Sequence, residues 1–335
     1  MSLIVPFVRK VEARKSEEKS NSYLHHSSLN HQPSPRRFAP GSEWLYAKLY
    51  TGATATDQVL REVVRPLTEE LVQSAAIKSW FFMRYGDPDW HLRLRFHGDP
   101  ERLRTEALPA LQAAVTPFLS GGQLWRLQLD TYEREVERYG GREGIQLSEQ
   151  LFHADSEAAL EIIELLEPGD AGLDERWRLA LRGMDCLLDD LGLDIKAKRE
   201  LLEHVRKSFA KEFRADERFI GQLGDKFREE RKNLETLIDP ACDAENPLQP
   251  GIEILERRSH LWSSTMTELK TCATEGRLSV SLPELAASYM HMHANRLLRS
   301  SQRAQEMVIY DFLARLYESR LARSIAAKPA PALCV

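Results

Sequence analysis

A chain of 335 residues with 42% hydrophobic and 29% charged residues has material for one large domain or two ordinary ones, and it is too apolar for a disordered chain. Its formal net charge of -5 excludes a generic nucleic-acid binder, because no overall positive field gathers phosphates, while leaving room for a local basic pocket. The four cysteines, Cys186, Cys242, Cys272 and Cys334, are scattered without a C-x-x-C pair, which excludes a cysteine-rich zinc site or a disulfide framework.

Residues 1–36 read as a polar tail, crowded with Ser, Asn, His and Pro and locally basic. Its apolar run Leu3–Val8 is too short for a signal-peptide core, and no later run approaches a membrane span, so a cytoplasmic location without membrane contact is expected. His25, His26 and His31 lack a fixed backbone to hold a metal and read as linker residues. Order is expected from near Trp44, where Trp44–Tyr50 has the aromatic content of a strand. Val59, Val63, Leu67 and Leu71 at four-residue steps predict a helix over 56–74, kinked or split at Pro66. Ile77–Tyr85 and Trp90–Gly98 read as a hairpin joined by Gly86-Asp87-Pro88-Asp89.

The second arm of that hairpin alternates strictly. Leu92, Leu94 and Phe96 point one way; His91, Arg93, Arg95 and His97 point the other. Two guanidiniums side by side repel, so the arrangement is easiest to sustain if acids from a neighbour neutralise it or an anion occupies it. A solvated strand face paired with Asp or Glu remains open beside an anion site. Asp99-Pro100-Glu101 then caps a helix that runs to about Leu119, and Gln123–Thr131 is a further strand with Trp125, Leu127 and Leu129 on one side. The order strand, helix, strand, strand, helix, strand resembles a split β-α-β arrangement with helices on one face of a mainly antiparallel sheet.

Tyr132–Gly141 carries Arg134 and Arg138, which share a face if the segment is helical and Gly140-Gly141 ends it; local Glu–Arg pairing is the competing reading. Beyond Gly141 the chain reads as helical, over 145–166, 176–191, 195–213, 217–238 and 252–273. The run Ser281-Leu282-Pro283-Glu284 is a capping box that starts another helix, and a last helix is expected over 302–323. His291 and Asn295 lie one turn apart on a common face, while His293 points elsewhere. Such a histidine is either a satisfied core group or a proton carrier working near neutrality. The fold class is therefore α+β, a mainly antiparallel sheet with helices in the N-terminal half followed by a large helical half in the same domain. No glycine-rich phosphate loop, dinucleotide fingerprint, H-E-x-x-H or G-x-S-x-G occurs, so no cofactor is expected.

Gly41-Ser42-Glu43-Trp44-Leu45-Tyr46, Phe82–Pro88, His91-Leu92-Arg93-Leu94-Arg95, Tyr132–Gly141 and His291–Arg296 occur in this order. Together they resemble the C-terminal domain of class I lantibiotic dehydratases, also called thiopeptide-type bacteriocin biosynthesis domains. In that family a large N-terminal domain transfers glutamate from glutamyl-tRNA to Ser or Thr of a precursor peptide, and the C-terminal domain eliminates it to leave dehydroalanine or dehydrobutyrine. The resemblance implies that residues 37–325 form the elimination domain between tails at 1–36 and 326–335. It implies a glutamylated precursor peptide as substrate and a separate glutamylation protein as partner, with no direct role for nucleic acid; a homodimer is compatible with it. His291 is the implied proton-transfer group, with Arg95 and Arg134 on the glutamate; Arg93, Arg138 and Asn295 are implied further substrate contacts. Two other readings stay open: a pyridine-forming cycloaddition enzyme of thiopeptide pathways, and a non-catalytic peptide-binding partner of a glutamylation protein.

Overall fold

Arg37–Phe38 forms a two-residue strand, β1, and the first long strand follows directly as β2 (Trp44–Tyr50). The computed structural model describes residues 35–167, 170–239 and 246–326; the predicted tails, with His25, His26 and His31, fall outside them except at Pro35, Arg36 and Ala326. Order begins earlier than the composition indicates. Arg36, placed in the tail by its polar surroundings, accepts a backbone hydrogen bond from Arg134 (3.0 Å) and pairs with Glu137 at 2.6 Å. A short strand of two residues has no periodicity to read, which is why the sequence does not mark it.

The hairpin expected from Gly86–Asp89 forms as β3 (Ser79–Tyr85) and β4 (His91–His97), followed by β5 (Arg126–Asp130) and a short β6 (Tyr132–Glu133). The four long strands make one antiparallel sheet in the order β3-β4-β2-β5, and β1 pairs with β6 as a separate ribbon. Register puts Leu45, Ala47 and Leu49 of β2 opposite Phe96, Leu94 and Leu92 of β4, and those opposite Trp80, Phe82 and Arg84 of β3. This face is the core. The helices over 56–73 and 100–120 add Val59, Val63, Leu67, Leu103, Leu111 and Val115 to the same buried cluster. Both helices loosen to π-helical turns, at Leu60–Val64 and Leu103–Ala107. Each of these turns lies just upstream of a proline (Pro66, Pro109) whose missing N–H removes an i to i−4 bond.

The helical half packs against an edge of the sheet. Edge strand β3 leaves alternate backbone groups unpaired by any other strand, and an unpaired buried peptide group is costly. Side chains from two helices take them up. In the helix Gly141–Leu165, His153 sits on the Trp80 backbone and the Ser156 hydroxyl accepts from the Phe82 amide. In the helix Leu282–Leu297, Asn295 accepts from the Arg84 amide at 2.9 Å and donates to its carbonyl at 2.8 Å. The core is thus continuous through an α+β fold.

Both caps read from the sequence form. Asp99 accepts from the amides of Glu101 and Arg102, and Ser281 and Glu284 form the reciprocal capping box. The helix expected over 252–273 is two, Gln249–Leu261 and Ser263–Thr274. At the break, Trp262 turns into the core and donates to Asp190 at 2.8 Å, a tertiary contact that the helical period cannot announce.

Candidate active site

The polar face of β4 is an aromatic one. Each of its outward residues lies in register between residues of β2 and β3: His91 between Tyr50 and Tyr85, Arg93 between Lys48 and Met83, Arg95 between Tyr46 and Phe81. Rings occupy most of these neighbouring positions. Tyr50 stacks on His91 at 4.8 Å, and the Arg93 guanidinium lies 3.3 Å from the Tyr85 centroid. Arg93 also donates to His91 Nε2 at 3.1 Å, so it is held along the strand. A solvated ladder paired with acids does not form: among the described residues neither Arg93 nor Arg95 is hydrogen-bonded to a carboxylate, and π-faces lie against both guanidiniums.

Arg95 is the extreme case. It is 6% exposed, with its guanidinium 4.5 Å from Tyr46, 5.2 Å from Phe81 and 4.9 Å from Tyr132. Its polar contact among the described residues is a weak one to the Met83 sulfur at 3.3 Å, and its Nε has no partner. Burial pulls this guanidinium down from its ordinary value, against the fields of Tyr132 and Tyr46. Among the described residues no carboxylate is hydrogen-bonded to it. The cage closes because β1 and β6 pair over this face and carry Phe38 and Tyr132 onto it.

Of the two readings of Tyr132–Gly141, the helix does not form and the local pairing does, between Arg138 and Glu135. Strand β1 captures Tyr132–Glu133, and a turn follows that ends on Gly140 and Gly141, both with positive φ (82° and 92°). Glycine alone adopts such angles without strain, so the pair begins the helix Gly141–Leu165 rather than ending one. Arg134 and Arg138 therefore do not share a face. Arg134 is buried and bonded through two nitrogens to Glu149, at 2.7 and 2.6 Å, and the same carboxylate accepts from Tyr132 at 2.7 Å. It is a neutralised cation that fixes one wall of the Arg95 cage. Burial pushes the Glu149 carboxyl up despite the opposing pull of Arg134.

Asn295 is held by the sheet edge. It does share a helical face with His291, since Gln302 contacts both, but its amide is taken up by the Arg84 backbone and Gln302. That makes it a docking residue for the sheet edge. His293 points into the interior, as its helical position requires, and bonds to Asp155 at 2.7 Å beside Arg258 and Arg296. Burial pushes Asp155 up, but His293 and the two guanidiniums outweigh it and hold the carboxyl well below its ordinary value.

His291 opens on a cleft of about 530 Å³ whose walls include Arg138, His204, Ser208, Ser288, Arg303 and Tyr310. Its side chain is 30% exposed, and its Nδ1 lies 2.7 Å from Oε1 of Glu306, which is fully buried. Arg303 bonds to the other Glu306 oxygen at 3.0 Å. The structure therefore brings His291 and Arg138 together, and places Arg95, Arg134 and Tyr132 in a neighbouring cage. Glu135 and Tyr139 join the two. Glu135 pairs with Arg138 at 3.1 Å and its field reaches Arg95, while the Tyr139 ring lies 5.5 Å from the Arg138 guanidinium. Tyr139 is pushed up to about 12 by burial, with Arg138 and Arg95 opposing. Glu306 was not singled out by sequence; one turn from Gln302 and three residues from Arg303, it reads as an ordinary charged helix position.

A family model for the lantibiotic biosynthesis dehydratase C-terminal region matches residues 44–317, a span that holds the cleft and all of the cage but Phe38. The subtilin biosynthesis protein SpaB of Bacillus subtilis is 27% identical over 215 residues, 64% of this chain and 20% of SpaB. The chain thus spans a fifth of that relative. The crystal structure of the tRNA-dependent lantibiotic dehydratase MibB from Microbispora sp. 107891 superimposes with a TM-score of 0.67 at 23% identity, covering 88% of this chain and 29% of MibB. The pyridine synthase TbtD from thiomuracin biosynthesis superimposes with a TM-score of 0.63 at 15% identity, covering 84% of this chain and all of TbtD. At these identities the two structures share the fold.

Proposed function

Because the chain belongs to the lantibiotic biosynthesis dehydratase C-terminal family, we propose that it eliminates glutamate from glutamylated Ser or Thr side chains of a precursor peptide, working with a separate glutamylation protein. The observation that carries this reading is Arg95: a buried guanidinium with no carboxylate among the described residues is an anion site in waiting. The reaction removes the α-proton of the modified residue, forms the Cα=Cβ bond and breaks the Cβ–O bond. Glutamate leaves with the bonding pair as a carboxylate. His291 takes the proton from the cleft, and cations placed where charge develops lower the barrier. Arg95 holds the departing glutamyl group, with Arg93 beside it on the strand and Arg138 on the cleft wall. Arg134 holds the cage through Glu149.

The test is incubation of the purified protein with a synthetic glutamylated peptide, reading mass loss of glutamate. Arg95→Met is expected to lower elimination by about 10²–10³-fold, the scale of a lost charge-stabilising donor. The same variant should melt no lower than the parent, since it removes a desolvated cation that makes no ion pair among the described residues. No glutamate loss by the folded parent protein overturns the reading.

One observation favours a second reading: the fold of TbtD is covered over its whole length by this chain. A pyridine-forming enzyme acts on a peptide that already contains two dehydroalanines. Ring formation on such a peptide, without activity on a glutamylated one, decides for that reading. Binding of either peptide without turnover decides for a non-catalytic partner.

A further inference from the structure

We propose that Glu306 is a positioning residue that fixes His291 in the Nδ1–H tautomer and leaves Nε2 as the ring nitrogen that meets the peptide; its importance for turnover rests on the elimination reading, whereas the tautomer does not. The proton inventory around Glu306 leads to this. Its oxygens contact Arg303 (3.0 Å), Gln302 Nε2 (3.3 Å) and the Tyr310 hydroxyl (3.4 Å), and each of these donates. Burial and the Glu306 carboxylate push Tyr310 well above its ordinary value, so its hydroxyl keeps its proton. A group surrounded by donors is an acceptor at every contact. The remaining contact, His291 Nδ1 at 2.7 Å, is the shortest of the four and far shorter than the 3.4 Å from Nδ1 to the Gln302 amide nitrogen, so Nδ1 carries the hydrogen toward Glu306.

Placement separates this carboxylate from an ordinary surface pair. Glu306 is completely buried behind the cleft wall, while His291 and Arg303 reach the cleft. Among the described residues nothing bonds to His291 Nε2. A carboxylate that cannot reach solvent holds the ring in one plane and one tautomer, and it stabilises the imidazolium that forms when Nε2 takes a proton. The arrangement links two helices: His291 comes from Leu282–Leu297 and Glu306 from Gln302–Ala326. A small rotation of either helix would break the contact.

The experiment is long-range ¹H–¹⁵N correlation of the full chain with ¹⁵N-labelled histidine, the His291 signals being assigned by their loss in His291→Asn. The wild type is expected to show neutral His291 protonated on Nδ1 with Nε2 bare, a result that needs no variant at position 306. Glu306→Gln should lose this single pattern, and Tyr310→Phe, which removes the longest of the four contacts, should keep it. On a glutamylated peptide, Glu306→Gln should lower kcat about 10–100-fold, the usual cost of losing a partner that orients a histidine, with KM changed less than about twofold. Neutral His291 carrying its proton on Nε2 in the wild type overturns the proposal, as does Glu306→Gln with both the wild-type tautomer and full turnover. If the wild type eliminates nothing, the lyase reading falls and the spectra alone judge the dyad: Nδ1–H present in the wild type and lost in Glu306→Gln supports it, and any other pattern overturns it.

Discussion

Arg95 and Arg134 both lie against aromatic rings, Arg95 over Tyr46 and Tyr132 and Arg134 over Phe38, but among the described residues Arg134 is paired with a carboxylate and Arg95 is not. The difference sets opposite expectations for their removal. Losing Arg134 leaves Glu149 as a buried charge whose remaining hydrogen bond comes from Tyr132, and uncompensated buried charges are costly. Arg134→Met should destabilise the fold by about 3 kcal/mol in urea unfolding, and adding Glu149→Leu should restore most of that loss. If Arg134→Met keeps full stability, the pair is not structural and Arg134 returns to the list of substrate contacts. Which arginine is paired was not legible in the sequence, because Glu149 lies 15 residues away on another element.

At the scale of elements, the helical half closes the sheet at β3 by satisfying its backbone. Asn295 does this twice, for the Arg84 amide and carbonyl, so Asn295→Ala strands two buried peptide groups. The expected cost is about 2 kcal/mol, with hydrogen exchange at the Arg84 amide accelerated and that at the paired amides of β4 nearly unchanged. Equal protection at Arg84 in the variant would show that another group covers this edge. Strand and helix positions follow from period and capping: the alternation of β4, the Asp99 cap and the Ser281–Glu284 box all form. Segments whose conformation depends on a distant partner do not follow, as Tyr132–Glu133 shows by pairing with β1 instead of starting a helix.

For the molecule as a whole, burial pulls His91, His97 and His293 below their ordinary value of 6.5. The unfolded chain binds protons at these positions near pH 6.5, while the folded chain binds them at lower pH. Stability is therefore fully present above about 6.5 and is lost as pH falls below it. Asp57 and Asp155, held below 3.8, add a second loss in strong acid. The melting temperature should be level from pH 8 to about 6.5 and decline toward pH 5. His97→Gln, which removes one of the three groups at the ring stacked on Trp44, should make the decline shallower. A melting temperature that rises on acidification to pH 5 would contradict the shifts.

The sequence by itself determined the α+β class, the strands and helices with strong periods, and the alternation that puts Arg93 and Arg95 on one side of β4. It also carried the family, whose model matches residues 44–317. These are local properties, set by side-chain period, capping and turn chemistry within a few residues. The tertiary structure decided what each candidate is worth: Arg95 unpaired in an aromatic cage, Arg134 locked to Glu149, Asn295 spent on a sheet edge, and His291 held against a buried Glu306. Charge pairing and burial depend on which distant elements meet, and these elements meet because β3 must have its backbone groups satisfied and two helices supply the partners.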